Sequence, residues 1–152
     1  MSESVLSDYF RLFNEIGIIE QLSRTMFEAR LPPGFVMAQF SVLNYLVRVK
    51  DGQTPVLLAR AFQVPKTSMT HSLAVLQKAG LIDIRANPKD GRSKQVFITE
   101  AGLAFRARAI AAVAPDLQRI AQSLSHERVA LLLPELESLR RFLDQDRDRD
   151  ER

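Results

Sequence analysis

Residues 54–102 read TPVLLARAFQVPKTSMTHSLAVLQKAGLIDIRANPKDGRSKQVFITEAG, and this stretch decides the fold. Thr54 is an N-cap residue type, followed by Pro55 at a first helical position, where a missing N–H costs nothing. Leu57, Leu58 and Ala61 give that short helix a buried side. Val64-Pro65 breaks the pattern, and a second helix is expected from about Pro65 to Ala79, closed by Gly80. Met69, Leu73 and Leu76 recur at i, i+4 and i+7 and define its core face, which leaves Thr67, His71, Ala74 and Lys78 on the opposite one. Leu81–Ile84 and Val96–Ile98 are β-prone and flank the segment Arg85–Lys94, which carries a turn signal at Asp90-Gly91. A bracing helix, a tight break, a second helix and a basic hairpin, in that order, make a winged helix-turn-helix. The second helix of such a unit enters a major groove and the hairpin lies beside it.

Outward from that unit the chain is helical. Leu6, Tyr9, Phe10, Phe13, Ile16, Ile19, Leu22 and Met26 place apolar groups at helical spacing within residues 5–30. Leu31-Pro32-Pro33-Gly34 ends that helix, and Phe35–Val49 reads as another, with Asp51-Gly52 as a turn. Thr99 caps a long helix carrying Val113, Leu117, Ile120 and Leu124. A last helix opens at Ser125 and carries Val129, Leu132, Leu133, Leu136, Leu139 and Leu143. Pro115 and Pro134 fall inside these two patterns, where kinks or breaks are expected. The fold class is therefore mainly α with a small β-wing. Residues 34–102 form the winged helix-turn-helix, residues 1–33 and 103–145 form a helical dimerisation region, and residues 146–152 form a charged, disordered tail. One small DNA-binding unit cannot cover so many apolar faces, so they are expected to pack on a second copy of the chain.

Charge and composition narrow the function. The net charge is +3, yet between Arg48 and Lys94 nine basic residues face three acidic ones, a local balance of +6 that leaves −3 elsewhere. A positive segment within a mildly acidic remainder suits a polyanionic partner. The chain has no cysteine, which excludes disulfides, thiol redox sensing and zinc fingers. The N-terminus lacks the pattern of a signal peptide, and no apolar run is long enough to span a membrane, so a cytoplasmic location is expected. His71 and His126 are far apart in sequence, and no nucleophile elbow, phosphate-binding loop or metal-binding helix motif is present. The chain is expected to be no enzyme and to need no cofactor or metal.

The polar residues of the winged unit supply the chemistry. Lys66, Thr67, Ser68, Thr70 and His71 set short donors and acceptors near a helix N-terminus, able to reach base edges and phosphates together. Lys89, Arg92 and Lys94 make the hairpin tip basic, and Arg92 projects toward a minor groove with Asp90 two residues earlier to orient its guanidinium. The alternative is a winged helix that binds another protein, which has no general use for a basic wing. In the flanking helices, Tyr9, Phe10, Phe13, Phe35, Met37, Phe40 and Tyr45 are candidates to line a small-molecule pocket where the two lobes meet.

Three segments resemble the MarR family of transcriptional regulators. They are Asp90-Gly-Arg92-Ser-Lys94 with the following Val96–Gly102, Ala38–Leu43, and Leu76–Ile82. The resemblance runs in order along nearly the whole chain. It implies a homodimer in which each subunit gives one winged helix-turn-helix to a pseudo-palindromic operator on double-stranded DNA. It further implies a repressor, released from DNA by a small aromatic effector bound between the lobes. Carried over by position, Arg92 enters the minor groove, Asp90 holds it, and Lys66–His71 meet the major groove. His71 departs from the arginine frequent at its position in the family.

Overall fold

A computed structural model describes residues 2–150 of the chain, with side chains through residue 147. Six helices and one hairpin follow in the order α1 (Glu3–Glu28), α2 (Met37–Arg48), α3 (Pro55–Ala61), α4 (Lys66–Lys78), β1 (Ile82–Asn87), β2 (Asp90–Ile98), α5 (Glu100–Ser123) and α6 (His126–Asp150). Their contacts gather into two compact units, one reaching to Val113 and one starting at Ala114.

The first unit holds the winged helix. Thr54 caps α3 by accepting the Leu57 N–H at 3.3 Å, with Pro55 at the first helical position. The break between α3 and α4 is a paired C-terminal cap. Val64 N–H reaches the Ala59 carbonyl and Gln63 N–H the Arg60 carbonyl, both at 3.1 Å, with Gln63 left-handed at φ 52°. Helix α4 ends the same way, with Gly80 at φ 71° and Leu81 N–H on the Leu76 carbonyl. Met69, Leu73 and Leu76 are buried as their spacing predicts, and pack with Leu43, Leu46, Leu58, Ile82 and Val96 into one core. Phe27 of α1 and Phe105 of α5 join this core through Phe40 and Phe35, with ring centroids 4.6 and 4.7 Å apart.

β1 and β2 pair antiparallel from Ile82↔Ile98 to Ala86↔Lys94. Gln53 bridges Val96, which extends the hairpin by a third short edge, and Asp51 accepts the Ile98 N–H at 3.0 Å. Gly52 is required there: at φ 72° a Cβ would sit 2.8 Å from the Phe97 ring. The turn lies at Pro88-Lys89, not at the expected Asp90-Gly91, which belong to β2. Asn87-Pro88 sets it, because proline fixes the first turn dihedral and the Asn87 side chain accepts the Lys89 N–H.

Thr99 caps α5 by accepting the Gly102 N–H at 3.0 Å and donating to the Gly80 carbonyl at 2.7 Å. Pro115 and Pro134 lie inside α5 and α6, so of the expected kinks or breaks neither is a break. Each removes one backbone donor, and the flanking turns keep their own bonds. The break between α5 and α6 falls at Leu124-Ser125, where the sequence opens the last helix, and Ser125 Oγ accepts the Arg128 N–H. Helix α6 continues through the charged segment to Asp150, supported by ion pairs of Asp144 with Arg140 and Arg147 one turn away on either side. Glu151 and Arg152, the end of the expected tail, lie outside the described residues.

Candidate nucleic-acid interface

Helix α4 presents three strips, because its 100° step per residue separates positions that are adjacent in sequence. Thr67, His71, Ala74 and Lys78 all face outward and are exposed. Thr70, Ala74 and Gln77 turn toward the wing and form one wall of a groove of about 680 Å³. The far wall is Asn87, Asp90, Arg92, Ser93 and Lys94, and the N-terminus of α3 (Thr54 to Val56) closes one end. Ser68 lies on the remaining strip with Ser72, where both line a cleft against α1 and α2. Of the five α4 residues expected at DNA, Thr67, Thr70 and His71 therefore share the open side, Lys66 stands exposed at the N-terminus, and Ser68 faces the other flank.

Thr70 uses its hydroxyl proton inside the helix, donating to the Lys66 carbonyl at 2.8 Å. Its oxygen is left as an acceptor and its methyl as an apolar contact, so it can meet a cytosine or adenine amino group or a thymine methyl.

The wing tip is basic and open. Lys66, Lys89, Arg92 and Lys94 are exposed, and none is in an ion pair among the described residues. Arg85, though in the same basic segment, is occupied on the outer face. Its Nε donates to Asp83 at 2.7 Å and its guanidinium lies 4.6 Å from the Phe97 ring centre. Asp90 holds Arg92 through the backbone: its Oδ1 accepts the Arg92 N–H at 3.0 Å. The expected pairing of carboxylate and guanidinium is not formed; the Asp90 carboxylate bonds the Arg92 main chain in its place. The guanidinium stays free for a polyanion.

The groove also contains residues that the sequence reading missed. They are Ala74, placed by its spacing only on the outer face of the helix, and Gln77, Asn87 and Ser93. The local signal for the tip is the Asn-Pro pair at 87–88, which competes with Asp90-Gly91 as a turn former.

The seven candidate pocket residues do not converge. Phe40 is buried, and Phe35, Met37 and Tyr45 pack against the same core, Tyr45 on Phe62 at 5.6 Å. Tyr9, Phe10 and Phe13 are 56, 73 and 46 % exposed on α1 and line only an open surface of that helix. Met37 reaches a concave site, the cleft of about 170 Å³ beside Ser68, which Arg24, Ser41, Phe62, Val64 and Ser72 also line. Helical spacing is the same for an aromatic in a core and for one on a lining, so the sequence could not separate them.

Residues 34–93 match the sequence model of the MarR family. A search of curated proteins finds no match. Among solved structures, wild-type MarR from E. coli in its apo form is 28 % identical, with 84 % of this chain and 96 % of that chain covered and a TM-score of 0.72. A mutant of the same E. coli protein, complexed with operator DNA, is 27 % identical over 87 % of this chain and 95 % of that one, with a TM-score of 0.70. The PcaV transcriptional regulator from Streptomyces coelicolor, in complex with its natural ligand, shares the fold at 19 % identity, covering 82 % of this chain and 87 % of that one at a TM-score of 0.65.

Proposed function

We propose that this chain, a DNA-binding transcriptional regulator of the MarR family, acts in the cytoplasm as a homodimeric repressor on a pseudo-palindromic operator and leaves it when a small aromatic ligand binds. One observation carries the DNA contact. An exposed polar helix face and a basic tip with no ion pair among the described residues flank a groove open to solvent. A duplex docked there meets the outward strip of α4 in its major groove and Arg92 in the adjacent minor groove, with the phosphate strand between them in the groove. A protein partner would use Lys89, Arg92 and Lys94 only if it set an acidic surface against them.

The apolar surface supports the dimer. Helix α1 has no buried residue in the single chain, and Leu6, Phe10, Ile19 and Leu22 are each more than half exposed. Helix α6 exposes Leu131, Leu133 and Phe142 to a similar degree. Monomers rarely leave contiguous apolar surface of this extent open, and a second copy with the same faces covers it by symmetry. Two copies then set two α4 helices about one helical turn apart on the operator. A repressor needs no more than this occupancy, which excludes polymerase from the same DNA.

For the effector, the cleft beside Ser68 offers an apolar wall of Met37, Phe62 and Val64, three serine hydroxyls and the Arg24 guanidinium, which also pairs with Glu20. An aromatic carboxylate of modest size matches that chemistry. Because α4 forms one side of the cleft, a ligand that prefers one setting of α4 shifts DNA affinity by its difference in affinity between the two settings. The test is a gel shift on the DNA upstream of the chain's own gene at two salt concentrations, with and without small aromatic acids, beside a thermal-shift series with the same acids. Salt-sensitive binding relieved by an acid that also raises the melting temperature is the expected result. Absence of any DNA shift at low salt overturns the reading.

A further inference from the structure

The ladder of the wing ends irregularly. Ala86 pairs with Lys94 but Asn87 pairs with Asp90, so Gly91, Arg92 and Ser93 leave the register as a three-residue bulge. Arg92, the cation meant for the minor groove, is therefore on a part of the strand without ladder partners. Between Ala86 and Lys94 no residue is buried, so the bulge has no apolar anchor either. Segments with neither ladder nor core are normally loose.

Side chains fix it instead. Asn87 donates from Nδ2 to Ser93 Oγ at 2.9 Å, and its Oδ1 accepts the Lys89 N–H at 3.0 Å. Ser93 Oγ donates on to the Asp90 carbonyl at 3.3 Å, and Asp90 Oδ1 takes the Arg92 N–H. Asn87 thus ties the turn at its own end and the return of the bulge at the other. The role needs a donor and an acceptor on one short side chain, which alanine lacks and serine is too short to supply.

We propose that Asn87 is the positioning residue of the wing, holding Lys89 and Arg92 in the geometry that DNA meets. The proposal rests on the reading of this unit as a DNA-binding one. A tip ordered in the free protein spares the duplex the entropy of ordering it. Loss of the two Asn87 bonds should weaken binding about five- to tenfold, the range expected for hydrogen bonds of ordinary net strength. The number of phosphates neutralised stays the same, so the dependence of affinity on salt should not change.

The test uses a duplex selected from a random pool by the wild-type protein, fluorescently labelled, with affinity read by anisotropy at several salt concentrations. Asn87→Ala should bind about five- to tenfold more weakly with the wild-type salt slope, an unchanged melting temperature and faster amide exchange at Lys89. Ser93→Ala should also weaken binding, Ser93→Thr should restore it, and the double alanine variant should lose less than the sum of the two. Wild-type affinity for Asn87→Ala, in the same experiment in which Arg92→Ala binds more weakly, overturns the positioning role and leaves the DNA reading standing. A shallower salt slope for Asn87→Ala also overturns it, because the loss would then be one of charge contact. If no duplex is selected, the DNA reading falls and this proposal with it.

Discussion

Replacing Arg92 by alanine gives the sharpest prediction for the wing. The guanidinium is exposed and in no ion pair among the described residues, so its full charge is available to a phosphate. Each phosphate neutralised on B-DNA contributes about −0.9 to the slope of log affinity against log salt. Two copies on one operator make the expected loss of slope about 1.8. Between 50 and 200 mM salt, a fourfold range, wild-type affinity should then fall roughly twelvefold further than that of Arg92→Ala. Anisotropy titrations of both proteins on the same duplex at four or five salt concentrations measure this directly. Asp90→Asn is the informative companion. It keeps the oxygen that accepts the Arg92 N–H and removes a negative charge beside the phosphates, so it should bind as well as wild type or better. If Arg92→Ala has the wild-type slope, Arg92 meets no phosphate and the wing is not part of the interface. If Asp90→Asn binds as poorly as Arg92→Ala, the carboxylate acts on the guanidinium and not on the main chain.

Three further outcomes test other parts of the structure. Thr67→Ala and His71→Ala, on the outward strip of α4, should each lose up to about 1–3 kcal/mol at the base they read and relax the selected sequence there, as measured by repeating the selection with each variant. Phe10→Asp combined with Leu22→Asp puts charge on the exposed face of α1 and should shift the mass in sedimentation from two copies to one or to aggregate, whereas an unaltered dimer would remove α1 from the interface. Gly102→Ala places a Cβ 2.2 Å from the Leu81 carbonyl oxygen and 2.8 Å from Ile98 Cγ1, so the first turn of α5 must move off the wing. The expected destabilisation is about 1–3 kcal/mol, which lowers the melting temperature by about 2–4 °C per kcal/mol; an unchanged melting temperature would mean that the turn yields freely.

The sequence by itself determined the elements and their order, because the signals involved are local. Thr54-Pro55 caps α3, Met69, Leu73 and Leu76 bury one face of α4, Gly80 closes it, and each depends on neighbours within a turn or two of helix. The surplus of cations at Lys89, Arg92 and Lys94 was legible for the same reason, since a hairpin between two β-prone runs has to expose its tip. Tertiary structure decided what depends on partners distant in sequence or on competition between near-equal local choices. Ser68 stands beside the cleft with α1 and α2 because those helices lie on its flank, and Phe35, Phe40 and Tyr45 parted from Tyr9, Phe10 and Phe13 because only the first set meets the winged-helix core. The wing tip turned at Pro88-Lys89 because the cross-strand bond from Asn87 to Ser93 outweighed a favourable Asp-Gly pair, and a register is set by bonds between strands that no single strand's sequence contains.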